Sequence, residues 1–186
     1  MSAFAERSLV AAARRLDRPA RWWLARPPLR AWLRRRAHRA WCAGGLGPLI
    51  LCYGNINRSA FAAALAGARG RPGARSAGFY PEEGRASPQA TIAAAAGYGV
   101  DLTAHRSRRV RRDELSAAEA IFVFDLQNVV QVAALDPRAL ARTHLLGALD
   151  ENPDPLIGDP HGRGDAFLAE TLARIARGVE NGQSSR

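Results

Sequence analysis

Residues 49–68 constrain the fold of this chain more than any other segment. The apolar run Leu49–Leu51 is followed by a short loop and then by an alanine-rich segment that begins near Ala60. This order predicts a buried strand, a tight loop and the N-terminus of a helix. Gly54 and Asn55 lie inside the loop, and both residue types tolerate backbone conformations that other residues resist.

The loop also contains an unusual set of chemical groups. It has the sequence Cys-Tyr-Gly-Asn-Ile-Asn-Arg-Ser over residues 52–59. The backbone N–H groups of such a loop and the dipole of the following helix favour an anion at this place, a phosphate monoester above all. A cysteine there favours its thiolate form, which is the nucleophilic one. Arg58 can hold two phosphate oxygens at once, and Ser59 can donate a hydrogen bond to the thiolate.

A buried and inert thiol is the simplest alternative for Cys52, because most free cysteines behave as small apolar residues. That alternative leaves Gly54, Arg58, Ser59 and the strand–loop–helix setting unexplained together. The combination therefore favours a nucleophilic cysteine in a phosphate-binding loop.

This loop resembles that of the low-molecular-weight protein tyrosine phosphatases, in which it has the pattern Cys, any residue, Gly, Asn, Ile, Cys, Arg, Ser. The chain matches this pattern at six positions: Cys52, Gly54, Asn55, Ile56, Arg58 and Ser59. It departs from the pattern at Asn57, where family members often carry a second cysteine. The resemblance implies that the loop residues bind the substrate phosphate and that redox protection by a second loop thiol is absent.

The resemblance extends over roughly residues 49–180. The matching segments are Ser76–Gly78, Gly99–Leu102, His105–Arg108, Ile121–Asp125 and Leu145–Gly147. Each is weak alone, but their order after the loop makes chance agreement unlikely. Tyr98 stands where the family commonly has a histidine, so we expect the bracing of Asn55 to differ.

The resemblance further implies a general acid in an Asp-Pro pair late in the chain, because the leaving oxygen needs a proton. Two pairs are available, Asp159-Pro160 and Asp154-Pro155, and the frame Ile157–Gly162 followed by Phe167 favours Asp159. Either pair could also be a simple turn. His161 replaces the aromatic residue that usually forms a wall for the phenyl ring, and Tyr53 is a substitute for that wall.

The implied reaction has two steps and needs no metal or other cofactor. Cys52 attacks phosphorus while Asp159 protonates the leaving oxygen, and Arg58 and the loop N–H groups hold the remaining oxygens. Water then hydrolyses the cysteinyl phosphate. The sequence shows no cluster of His and Asp ligands, and two cysteines cannot form a cysteine-rich zinc site.

The positive charge is concentrated at one end of the chain. The net charge is +10, and residues 1–48 carry eleven arginines against Glu6 and Asp17, whereas residues 49–186 are nearly neutral. A nucleic-acid-binding catalytic domain is therefore not expected. Two cysteines, Cys42 and Cys52, indicate a reducing compartment, and we expect the protein to be cytoplasmic.

Residues 1–48 form a basic arm that contains all four tryptophans. We expect one helix from Phe4 to Leu16 and another from Leu29 to Trp41, separated by Pro27-Pro28 and ended by Gly44-Gly45. On the second helix, helical spacing places Leu29, Trp32, Leu33, Ala40 and Trp41 on one apolar face. The arm could bury that face on residues 49–186 or on a second copy, bind an anionic membrane surface as a peripheral inner-membrane protein, or act as a targeting peptide.

The remaining pattern predicts the architecture. Strands near 49–52, 73–77, 119–124 and 143–146 alternate with helices near 59–68, 87–97, 127–134 and 165–178. Such alternation predicts an α/β fold with an open, doubly wound, four-stranded parallel sheet, helices on both faces and an N-terminal helical extension. The phosphate loop then lies at the C-terminal end of the first strand.

Three functions fit these observations. The first is a protein tyrosine phosphatase, for which the resemblance implies bacterial tyrosine kinases and surface polysaccharide production as the physiological context. The second is arsenate reduction with an external thiol, since no cysteine follows Cys52. The third is a phosphate-binding module without catalysis, which loss of Cys52, Arg58 or the acid would favour.

Overall fold

The computed structural model describes residues 19–43, 45 and 47–184. The helix predicted over Phe4–Leu16 and the residue Gly44 lie outside the described residues. The named helices are α1 (Pro27–Cys42), α2 (Arg58–Ala68), α3 (Gln89–Ala96), α4 (Arg112–Ala117), α5 (Leu126–Leu135) and α6 (Asp165–Gln183). The strands are β1 (Leu49–Cys52), β2 (Arg75–Gly78), β3 (Ile121–Val123) and β4 (Thr143–Leu145), and 3-10 turns cover Pro137–Arg142 and Leu146–Ala148.

The four strands form one parallel sheet in the order β2-β1-β3-β4. The predicted doubly wound α/β architecture is therefore confirmed. Strand β1 is central, and all four of its residues are buried, as expected for a strand covered on both faces. Because all strands point the same way, the loops after β1 and β3 meet at one edge of the sheet, which is where α/β proteins bind ligands.

Gly78 allows the loop after β1 to lie close to the neighbouring strand. It is paired with Cys52 in the sheet. A Cβ atom at this position would lie 2.7 Å from the carbonyl oxygen of Tyr53 and 2.9 Å from the Cβ of Asn55. Any larger residue would push the loop away from β2, so the loop conformation depends on this glycine.

Helix α1 is packed on the rest of the protein through one face. It begins at Pro27, whose missing N–H costs nothing in the first turn of a helix, and a short helical segment over 19–24 precedes it. Trp41 is buried against Phe122 of β3, with ring centroids 5.0 Å apart, and it also contacts Gly182 of α6. The helix predicted over Leu29–Trp41 is thus present and buries an apolar face within the chain.

The predicted face included Trp32, and that assignment was wrong. Trp32 is 45% exposed, whereas Leu33 and Ala40 pack against the core. Nine residues separate Trp32 from Trp41, and at 3.6 residues per turn that spacing places their side chains on opposite sides of the helix. The buried face is centred on Ala37 and Trp41 instead.

No helix within the described part of the chain has the length and apolarity that a membrane span requires.

Candidate active site

The thiol of Cys52 is buried at the end of β1, where the following loop folds over it. Its Sγ atom lies 3.0 Å from the hydroxyl oxygen of Ser59 and accepts a hydrogen bond from the backbone N–H of Asn55 at 3.3 Å. Both partners can donate to sulfur. Two hydrogen-bond donors can thus be directed at the sulfur atom.

Asn55 holds the loop in shape. Its φ of +50° is the one positive value at a non-glycine position among the described residues, a conformation that asparagine tolerates. Its side-chain amide donates to Ser59 Oγ at 2.9 Å and to Ser76 Oγ at 3.0 Å. Its side-chain oxygen accepts from the backbone N–H of Arg108, and its backbone carbonyl lies 2.7 Å from Nε2 of His105. His105 thus contributes to the bracing of Asn55.

Arg58 begins α2 and is almost completely buried, with 1% of its side chain exposed. Its Nη1 atom donates to Asp125 Oδ2 at 2.5 Å and to the carbonyl oxygen of Ile157 at 3.0 Å, and its Nη2 atom lies 3.0 Å from Asp159 Oδ2. Burial alone would lower the pKa of Arg58, but Asp125, Asp159 and Cys52 outweigh burial and raise the pKa. The guanidinium is thus a fixed positive charge at the base of the loop.

The two Asp-Pro pairs occupy different environments. Asp159 faces Arg58, and its side chain is 44% exposed. Asp154 instead forms an ion pair with Arg21 from the N-terminal segment, and its Oδ1 atom accepts from the backbone N–H of Leu156 at 2.9 Å. Of the two carboxylates, Asp159 alone borders the same pocket as the thiol.

That pocket has a volume of about 150 Å³ and opens above the thiol. It is lined by Cys52, Tyr53, Gly54, Ile56, Asn57, Tyr80, Arg85, Asp159 and His161. Tyr53 and Tyr80 meet edge to face, with ring centroids 5.6 Å apart. Arg85 lies over the Tyr80 ring, 4.0 Å from its centroid, and donates to the carbonyl oxygen of Gly54 at 2.8 Å. The mouth of the pocket therefore has aromatic walls and one cation.

The residues expected to bind substrate divide into two groups. Those that border the pocket are Tyr53, Gly54, Ile56, Asn57 and His161. Asn55 and Ser59 are fully buried and lie behind the thiol, where their side chains support the loop. Asn57, which replaces the second loop cysteine, accepts a hydrogen bond from Thr91 of α3 at 2.7 Å.

Sequence reasoning did not assign a site role to Asp125, Tyr80, Arg85 or His105. Asp125 ends the segment after β3, and the adjacency of β1 and β3 brings it to Arg58. The sequence does contain a signal for Asp125, because an acidic residue directly after a buried strand lies at the edge of the sheet where ligands bind. Tyr80 and Arg85 lie in an irregular segment after β2, where sequence patterns give little guidance.

No group of three or more His, Cys, Asp or Glu residues that could hold a metal ion occurs among the residues described. The groups that do converge are a thiol with two donors, a buried guanidinium and a carboxylate beside a small pocket. They are suited to nucleophilic attack on a phosphate ester with protonation of its leaving group.

Comparison with known proteins gives a consistent result. The family model described as "Low molecular weight phosphotyrosine protein phosphatase" matches residues 49–182. A curated relative from Ralstonia nicotianae, named "Probable low molecular weight protein-tyrosine-phosphatase EpsP", is 28% identical over 134 residues, which cover 71% of this chain and 90% of the relative. The family model's match leaves out residues 1–48.

Solved structures share the fold. The Erwinia amylovora tyrosine phosphatase AmsI superposes with a TM-score of 0.67 at 23% identity, covering 72% of this chain and 88% of that protein. The YwlE arginine phosphatase from Geobacillus stearothermophilus superposes with a TM-score of 0.64, also at 23% identity, with the same coverage of both chains. The shared fold is thus compatible with two different phosphorylated amino acids.

Proposed function

Because this chain belongs to the low molecular weight phosphotyrosine protein phosphatases, a family of phosphoric monoester hydrolases, we propose that it hydrolyses phosphotyrosine in proteins through a cysteinyl-phosphate intermediate. One observation carries the assignment of the site. The buried thiol of Cys52 and the carboxylate of Asp159 border one pocket, and the buried guanidinium of Arg58 is paired with that carboxylate.

In the first step, the Cys52 thiolate attacks phosphorus from the side opposite the tyrosyl oxygen. The S–P bond forms as the P–O bond breaks, and Asp159 gives its proton to the departing phenolic oxygen. Arg58 and the N–H groups of the loop hold the three remaining phosphate oxygens. Ser59 and Asn55 donate to sulfur and thereby stabilise the thiolate before attack.

In the second step, water attacks the cysteinyl phosphate. Asp159, now a carboxylate, takes a proton from this water, and the sulfur leaves as a thiolate. Inorganic phosphate departs, and the starting state of the site is restored. The hydrogen bonds from Ser59 and Asn55 assist here as well, because they stabilise the sulfur as a leaving group.

The walls of the pocket support phosphotyrosine over phosphoarginine as the substrate. A phenyl ring that enters above Cys52 meets the rings of Tyr53 and Tyr80, and aromatic pairs of this kind are mutually attractive. A phosphoarginine side chain would bring a second guanidino group towards Arg85 at the same mouth. Like charges in a partly desolvated site repel one another.

We further assign the hydrolysis of phosphotyrosine to residues 49–186 and a docking role to residues 1–48. The two partners considered for residues 1–48 are an anionic membrane surface and a second copy of the chain. The thiolate mechanism requires reduced cysteine, and both Cys42 and Cys52 are free thiols, which favours a reducing compartment such as the cytoplasm. The tyrosine kinases that the family resemblance implies are the proposed protein substrates.

The test compares Cys52→Ser with Cys42→Ser, which changes the other thiol, exposed on α1 and remote from the pocket lining. We expect the wild type and Cys42→Ser to hydrolyse a phosphotyrosine peptide, and Cys52→Ser to bind the peptide without turnover. Turnover by Cys52→Ser would exclude a cysteinyl intermediate. A phosphoarginine peptide is tested in parallel, and its faster hydrolysis would overturn the proposed substrate class.

A further inference from the structure

Three tryptophans lie on the surface of the N-terminal helices. Trp22, Trp23 and Trp32 are 58%, 56% and 45% exposed, and among the described residues Leu140 is the other large apolar side chain with comparable exposure. Tryptophan has the largest side chain of the apolar residues, so each exposed ring leaves more surface in water than Leu140 does. Their concentration in one segment indicates an interaction surface rather than chance.

The charge around these tryptophans has a single sign. Residues 19–43 contain seven arginines, one histidine and no Asp or Glu. The guanidinium of Arg26 lies over the rings of both Trp22 and Trp23, at 3.9 and 4.7 Å from their centroids. Arg35 and Arg39 are exposed three and seven positions after Trp32, on the same side of α1.

The opposite side of these helices is already occupied by the protein itself. Trp41 and Ala37 are buried in the core. Arg21 donates a hydrogen bond to the side chain of Asp154, and Arg30 donates to the backbone carbonyl of Glu151. Arg36 donates to the backbone carbonyl of Ala141, and its guanidinium also lies 5.3 Å from the centroid of the Trp32 ring. The helices are therefore held on the catalytic part of the chain with their tryptophan- and arginine-bearing side turned outwards.

We propose that this outer face, defined as Trp22, Trp23, Arg26, Trp32, Arg35 and Arg39, binds the surface of an anionic phospholipid bilayer. Tryptophan rings are suited to the headgroup region, where one end of the side chain meets apolar carbon and the other meets water. Arginines on the same face are attracted to the negative surface potential of anionic lipids. Amphipathic basic helices with tryptophan lie in this region parallel to the membrane plane.

Charge also decides between the membrane and a second copy of the chain. In a symmetric dimer the same patch meets itself, so Arg26, Arg35 and Arg39 of one copy would face those of the other, and residues 19–43 offer no Asp or Glu to pair with them. An anionic bilayer supplies the missing negative charge. The observations thus favour a lipid surface as the occupant.

The test measures binding of the full-length protein to vesicles of phosphatidylcholine alone and of equimolar phosphatidylcholine and phosphatidylglycerol, by co-sedimentation and by tryptophan fluorescence. We expect binding to the anionic vesicles only, with a blue shift of the emission as the rings leave water. Binding should weaken as the ionic strength rises to about 0.15 M, where the Debye length is about 8 Å.

Two variants locate the surface, and one pair of substitutions serves as the control. Arg35→Gln/Arg39→Gln should weaken binding by roughly 30-fold, since each arginine near an anionic surface contributes about fivefold. Trp22→Ala/Trp23→Ala should weaken binding and reduce the fluorescence shift. Arg112→Gln/Arg138→Gln removes the same charge from exposed positions elsewhere and should bind like the wild type.

The proposal is independent of the chemistry at Cys52, because hydrolysis of a soluble aryl phosphate reports whether each variant is folded. Failure of the wild type to bind anionic vesicles would overturn the proposal, as would equal binding to neutral vesicles or equal weakening by the control pair. Concentration-dependent dimerisation without lipid that the tryptophan variant abolishes would assign the face to a second copy instead.

Discussion

Asp159 and Arg58 form an ion pair, with Asp159 Oδ2 lying 3.0 Å from Arg58 Nη2. The carboxylate thereby occupies one of the nitrogens of Arg58 that a substrate phosphate would bind. Arg58 keeps Asp125 and the carbonyl oxygen of Ile157 as partners on its other nitrogen. The Nε atom of Arg58 is buried and has no hydrogen-bond partner among the described residues, so a phosphate that binds Nε and Nη2 together competes with Asp159 for Nη2, and the partial exposure of Asp159 allows it to move. We expect the released carboxyl group of Asp159 to turn towards the leaving oxygen.

Replacement of the acid should therefore affect substrates according to their leaving groups. Asp159→Asn should lower kcat for phosphotyrosine by about 10²–10⁴-fold, the usual contribution of a positioned general acid. The loss should be much smaller for para-nitrophenyl phosphate, whose leaving group departs without a proton. Steady-state kinetics with both substrates measures the difference.

Asp154→Asn is the matched control, because it changes the other Asp-Pro pair and interrupts the ion pair with Arg21 rather than with Arg58. We expect its kcat to remain within a few-fold of the wild type for both substrates. A large, leaving-group-dependent loss in Asp154→Asn with normal Asp159→Asn kinetics would show that the two roles were exchanged.

Asn55 has two functions that substitution can separate. Asn55→Gly keeps access to the backbone φ of +50° but removes the hydrogen bonds to Ser59, Ser76 and Arg108. Asn55→Ala removes these hydrogen bonds and adds backbone strain of about 1 kcal/mol. We expect both variants to lose kcat/KM, with Asn55→Ala also less stable than Asn55→Gly. Equal unfolding free energies of the two variants would show that the left-handed conformation carries no cost here.

The sequence predicted the catalytic loop well because its determinants are local. The apolar strand, Gly54, Asn55 and the helix start lie within a few residues of Cys52, so their pattern is visible in the chain. The roles of Asp125 and His105 could not be predicted in this way, because both residues are distant in sequence from the loop residues that they contact. The order of the strands brings Asp125 to Arg58, and a loop brings His105 to Asn55, in each case from more than 45 residues away. Trp32 was misplaced for a different reason, since nine positions at 3.6 residues per turn are two and a half turns, and the predicted face combined residues from both sides of the helix.

His144 on β4 should make stability depend on pH. Burial, and secondarily the charge of Arg36, lower the pKa of His144 from 6.5 to about 4. The unfolded chain therefore binds a proton at a pH where the folded chain does not, and the unfolding free energy falls as the pH drops from 6.5 towards 4. His144 is partly exposed, so solvent screening keeps the effect to about 1–2 kcal/mol.

Denaturant titrations at several pH values would measure this effect, with His144→Asn as the variant that should lose this part of the pH dependence. Arg36→Gln should raise the pKa of His144 only slightly, because burial is the larger cause, and NMR titration of the imidazole reports that pKa. A pH dependence identical in the wild type and in His144→Asn would contradict the assignment.

Trp41 and Gly182 provide a test of how α1 is held on the domain. Trp41 is buried, and a Cβ atom on Gly182 would lie 2.7 Å from Cδ1 of its ring. Trp41→Ala should lower the unfolding free energy by about 3–5 kcal/mol through loss of buried area and the resulting cavity. Gly182→Ala should also destabilise the wild type, because its methyl group has no room beside the ring. In the Trp41→Ala background the same methyl group should be tolerated, since the space is then open.

Denaturant unfolding of the wild type, the two single variants and the double variant gives the coupling energy, which we expect to exceed 0.5 kcal/mol for residues in contact. Strictly additive effects would show that the ring and the glycine do not touch in solution.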